Sequence, residues 1–190
     1  MNSFPLRSFA GVVGLGATLG LGATLGLGVA LGAGPAVADD AQVERGKYLV
    51  TVAGCSDCHT PGGLTGSPDK ARYLGGSDAG FAIPGDGVYV GQNLTPDKET
   101  GLGAWSAADI VTALRTGKRP DGGMLSGVMP FPAFSHLTDQ DAEAIAAFLK
   151  SIPAVKNKAA GPFKPADKVT VSVSAILSPD AYNALPAAQK

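Results

Sequence analysis

Cys55 and Cys58 are the only cysteines in the chain, and His59 follows directly in the stretch AGCSDCHTPGG at 53–63. Two thiols at this spacing suit several chemistries. A disulfide across so short a loop would restrict the unfolded chain little and make a poor staple. A redox pair wants its Cys-x-x-Cys at the end of a strand in a βαβ unit, whereas the residues before Cys55 pattern as a helix. A closed zinc site wants four ligands, and the chain holds two cysteines and two histidines in all, so the distant His136 would have to be recruited. A haem attachment site needs nothing more at this end. Each thiol adds to one vinyl group, and the next side chain, His59, is directed at the iron as proximal ligand.

A haem that shuttles electrons usually keeps both axial positions filled, and a methionine sulfur raises its potential relative to histidine. Met1 belongs to the leader described below, which leaves Met124, Met129 and His136 as candidates. Met129 lies in GVMPFPAF, where two closely spaced prolines predict a stiff, extended loop without a helix. Met124 follows two glycines, with little to fix its aim, and His136 stands just before a helix start. Met129 is therefore the expected distal ligand, although a lone methionine also suits ordinary core packing.

The elements that must position these residues can be read from caps and periodicity. Gln42 to Ala53 reads as a helix ending at Gly54, and Gly46 within it would let another helix cross closely. Residues 60 to 103 are rich in Gly, Pro, Asp and Ser and predict a loop with short strands such as Val88 to Val90. Ser106, with Asp109 three residues later, marks a capping box, and Gly117 ends that helix. Thr138 and Asp141 repeat the pattern for a last helix, which stops before Pro153 and carries Phe148, the side chain expected to meet Gly46. Beyond it, residues 154–190 form an extended tail in which VTVSVS at 169–174 alternates like a strand.

The N-terminus has a different character. Across residues 1–38 Arg7 is the single charged side chain, and an apolar run ends in Ala36-Val37-Ala38 before Asp39-Asp40. This is the pattern of a secretory signal cleaved after Ala38, without the Arg-Arg pair of a twin-arginine signal. The hexapeptide repetition GLGATL, GLGATL, GLGVAL at 14–31 is too short a unit to build a repeat fold. An uncleaved anchor is the rival reading, since the run is long enough to span a bilayer. With 15 Lys and Arg against 16 Asp and Glu, the chain has no charge excess that would favour nucleic acid.

Taken together, ERGKYLVTVAGCSDCHT, NLTPDKETGLGAWSAADIVTALRTGKRPDG and MPFPAFSHLTDQDAEAIAAFLKSIPAV resemble the class I cytochrome c superfamily. More narrowly, they look like the cytochrome domains found with bacterial alcohol, sugar and aldehyde dehydrogenases. The likeness covers roughly residues 43–157. It implies an all-α fold of three to four main helices around one covalent haem c, in a domain at 39–153. It implies thioethers at Cys55 and Cys58, iron ligation by His59 and Met129, a Gly46–Phe148 helix contact, and a haem-proximal stretch at Asn93, Leu94, Thr95 and Pro96. Dehydrogenase subunits of this branch often carry three haem domains and an anchor. One Cys-x-x-Cys-His motif here instead favours a single-haem periplasmic carrier without substrate turnover of its own. Its expected partners are a dehydrogenase as donor and an oxidase or another cytochrome as acceptor, with no membrane span after cleavage. The alternatives are a docked electron-transfer subunit of a dehydrogenase complex and, beyond that, a peroxidase or ligand sensor with an open iron.

Overall fold

The computed structural model describes residues 39–186. The leader expected at 1–38, with its cleavage point or anchor, lies outside the described residues. Helix α1 (Asp40–Val52) starts where the Asp39 carboxylate accepts a hydrogen bond from the Gln42 N–H at 2.6 Å. It crosses α5 (Asp139–Ser151) at Gly46. A Cβ at Gly46 would sit 1.9 Å from the Ala144 carbonyl oxygen and 2.8 Å from Phe148 Cβ, so only glycine permits this approach. The expected partner Phe148 is in place, but the closest contact is with the backbone of Ala144.

Between these two helices lie α2 (Cys55–His59), a single turn, and α3 (Ala107–Thr116). At α3 the capping box is complete: Ser106 accepts from the Asp109 N–H, Asp109 accepts from the Ser106 N–H, and Gly117 ends the helix in the left-handed region. At α5 only half of the expected box forms. Thr138 accepts from the Asp141 N–H, but the Asp141 carboxylate turns to α1 and accepts from Arg45 Nε at 2.8 Å. Val50, Leu74, Ile110, Leu114 and the buried face of α5 from Ala142 to Leu149 make the core. Lys150 closes it at one side by donating to the carbonyls of Leu102, Gly103 and Trp105, the last at 2.8 Å.

Two expectations need correction. GVMPFPAF is not wholly extended: Phe131–Phe134 form one helical turn, α4. Its prolines are Pro130 at the cap and Pro132 within the first turn, where the missing N–H would have had no helical partner anyway. The all-α expectation holds for the core and not for the whole chain. Strands β1 (Ala79–Ile83) and β2 (Gly87–Val90) pair antiparallel, and β3 (Ser172–Ser174), from within VTVSVS, joins β1 in parallel. A further one-turn helix, α6 (Pro179–Asn183), follows. Among the described residues no helix is long and apolar enough to cross a membrane.

Candidate haem site

The Cys-x-x-Cys-His motif folds as α2, launched from Gly54 in the left-handed region at φ 65°. Cys55 and Cys58 are one helical turn apart, half-buried and unpaired. Burial pushes the Cys55 thiol up to about 11, with the Cys58 and Asp57 charges adding to it. Burial and then the Asp57 charge raise Cys58 as well. Redox-active cysteines sit where thiolate is favoured. This environment favours the neutral thiol, against the redox-pair reading. Among the described residues no three His, Cys, Asp or Glu side chains gather as an ion-binding group.

His59 is held at its Nδ1, 2.7 Å from the Gln92 carbonyl oxygen. A carbonyl can only accept, so Nδ1 carries the hydrogen and the Nε2 lone pair is the ring's available donor. Burial lowers the His59 pKa, partly offset by the bond to Gln92, which favours the neutral imidazole. A neutral ring with one nitrogen anchored to a carbonyl is the state that ligates iron.

That carbonyl was not identified in the sequence. It reaches His59 because Gly91, just after β2, lies against α2. A Cβ there would fall 1.7 Å from the Cys58 carbonyl oxygen. A glycine at a strand end was the single available sign of such close approach. Thr60, fully buried, accepts from the Leu74 N–H at 2.9 Å, and the Leu74 carbonyl accepts from the Leu94 N–H at 2.8 Å. These bonds hold Leu74 at φ 57°, unusual for a branched residue, and tie the Asn93–Pro96 stretch to the end of the motif.

Met129 is half-buried and packs against the same core cluster as Cys55. Its N–H donates to Ser126 at 3.0 Å and its carbonyl accepts from Phe131 at 2.8 Å, fixing the backbone on both sides. Met124 is 55% exposed and His136 is also exposed. Of the three distal candidates, Met129 alone packs against this cluster. Leu94, Leu102, Trp105, Phe134 and Leu137 are likewise half-buried around it. Two neutral thiols, a neutral imidazole, a thioether and a half-covered apolar rim fit an apolar macrocycle with a central iron.

The family model for cytochrome c matches residues 43–153. The chain belongs to the cytochrome c family. Covalent haem c is the prosthetic group that this family implies. The cytochrome c subunit of the quinone alcohol dehydrogenase of Gluconobacter oxydans (strain 621H) is 39% identical over 111 residues, 58% of this chain and 21% of that subunit. The gluconate 2-dehydrogenase cytochrome c subunit of Pantoea cypripedii is 36% identical over 111 residues, 58% of this chain and 23% of its own length. A diheme c-type cytochrome of Cereibacter sphaeroides is 42% identical over 118 residues, 60% of this chain and 36% of the relative. This cytochrome c domain thus spans about a fifth to a third of the lengths of these relatives.

Proposed function

We propose that this chain is an exported, periplasmic electron carrier with one haem c, and that it turns over no substrate of its own. Bound haem c supplies a one-electron iron couple. The protein's part is to hold and tune it. Cys55 and Cys58 form the thioether attachments, His59 Nε2 is the proximal ligand and Met129 the distal one. The half-buried apolar rim limits water at the site, and the Gln92 carbonyl sets the tautomer and angle of the His59 ring. The observation that carries this reading is the geometry of α2, where two unpaired thiols one helical turn apart precede an imidazole whose Nδ1 is anchored to a carbonyl.

Absorption spectra of the purified full chain in both redox states test the reading. A covalent-haem spectrum with the weak far-red methionine–iron band in the oxidised state is the expected result. Met129→Ala should abolish that band; its persistence would remove Met129 from the ligand set. Rapid carbon monoxide binding by the unmodified protein would favour an open iron instead. A docked subunit of a dehydrogenase complex is the second reading, favoured because the relatives are themselves dehydrogenase cytochrome subunits. Copurification of a catalytic subunit distinguishes it from a free carrier.

A further inference from the structure

The segment after α5 reaches His59 by two routes. The first goes to the ring. The Gln92 carbonyl accepts from His59 Nδ1–H, and the next residue, Asn93, is 2% exposed. Asn93 Nδ2 donates to the carbonyls of Val155 at 2.7 Å and Asn157 at 3.1 Å, and lies 3.0 Å from Thr100 Oγ1. Its Oδ1 accepts from the Thr95 N–H at 2.9 Å and the Thr95 hydroxyl at 2.7 Å. The second route goes to the main chain. The His59 carbonyl accepts from the Gly76 N–H at 2.8 Å, and the carbonyl of the preceding Gly75 accepts from Asn157 Nδ2 at 2.7 Å.

Asn157 belongs to both routes. Its carbonyl takes part in holding Asn93, its side chain holds Gly75, and its N–H donates to Thr100 Oγ1 at 3.1 Å. Farther along, Val88 and Phe163 exchange two backbone bonds at 2.8 and 2.9 Å, and β3 docks on β1. Among the described residues no buried side-chain polar atom is left unpartnered, so this network is fully satisfied. A satisfied buried network fixes geometry closely, because each member left unpaired would be costly. Asn157 also lies beyond residue 153, where the family match ends.

We propose that Asn157 is a positioning residue for His59. Its side-chain bond to the Gly75 carbonyl ties residues 155–157 to the 75–76 backbone that holds the His59 main chain. That tie keeps the main-chain carbonyls of Val155 and Asn157 where Asn93 meets them, and the neighbouring Gln92 carbonyl against Nδ1. This sets the donor strength and ring angle of the proximal ligand. The inference rests on the reading of His59 as an iron ligand. A well-seated carbonyl strengthens the Nδ1–H bond and makes the imidazole a stronger donor, which favours ferric over ferrous iron. Loosening that seat should raise the reduction potential.

The test uses the full chain with its haem, as Asn157→Ala and as the milder Asn157→Ser, with exposed Lys158→Ala as control. Midpoint potential and the paramagnetic NMR shifts of the haem methyls, which follow the ring angle of the axial histidine, are measured for each. The expected result is a rise equivalent to about a tenfold change in the electron-exchange equilibrium, about 59 mV for one electron, with displaced methyl shifts. The control should stay at the value of the unmodified protein. If Asn157→Ala does not fold, Asn157→Ser decides. Lower thermal stability with unchanged potential and methyl shifts would make Asn157 merely structural and overturn the proposal. Absence of a covalent, histidine-ligated haem in the unmodified protein would instead remove the reading of His59 itself, which its absorption spectrum shows separately.

Discussion

The α1–α5 crossing and the Asn93–Asn157 clasp both join distant parts of the chain, but by opposite means. At the crossing, shape does the work. Gly46 lets two helix backbones touch, and apolar side chains from α3 and α5 fill the space beside them. At the clasp the joining is done by polar groups. Asn93, Thr95, Thr100 and Asn157 instead satisfy one another and three main-chain carbonyls. Packing tolerates exchange among apolar residues of similar size. A buried polar network does not, because removing one group strands its partners. The helical crossing makes the scaffold, and in the proposal made above the clasp aims His59 on it.

That contrast can be broken in graded steps. Gly46→Ala should have the largest effect, a loss of about 3 kcal/mol or more, despite the roughly 1 kcal/mol by which alanine favours a helix over glycine. Urea unfolding checks this, and a neutral result would mean that the helices separate without penalty. Asn93→Leu should cost about 2 kcal/mol in the same assay, although leucine is apolar and similar in size. The reason is that the Thr95 N–H loses its partner and the Val155 carbonyl keeps only the long 3.4 Å bond from the Thr95 hydroxyl. A stabilised Asn93→Leu variant would show that the clasp behaves like ordinary core.

The smallest effect belongs to the ion pair at the rim of the crossing. The hydrogen bond from Arg45 holds the Asp141 carboxyl below its ordinary value of 3.8, with Thr138 contributing and partial burial opposing. A depressed folded-state pKa gives stability that is present above the ordinary value and is lost as pH falls through the lower one. Thermal midpoints of the protein and of Asp141→Asn should therefore differ slightly at neutral pH and converge in acid. Added salt should narrow the neutral-pH gap, since the Arg45 side chain is half-exposed. A gap that widened in acid would reverse the assigned sign.

Legibility in the sequence divided along the same line. Ser106, Asp109 and Gly117 announced α3 because capping is a transaction between residues three or four apart. Gly46 announced the crossing because a glycine inside a helix needs a reason. Cys55, Cys58 and His59 carry their chemistry within five residues. The short helix α4 is hidden in the sequence because prolines signal breakers, and only their place at the cap and in the first turn makes them compatible with a helix. Asp141 looked like a box partner, and it left that role for Arg45, 96 positions away in the chain. The Gln92 carbonyl is marked only indirectly, by Gly91 beside it, since every residue has a carbonyl and side-chain type does not say which will be used.

Residue types and short spacings were therefore enough to indicate the thiols, the imidazole, the helices that carry them and the kind of prosthetic group they suit. These depend on covalent reach and on hydrogen bonds within one or two helical turns. Which carbonyl anchors His59, which side chains pair to seat it, and where the chain beyond α5 docks depended on contacts between residues 33 to 93 positions apart. Such contacts exist only after the core has closed and set the distances between backbone groups that look alike in sequence.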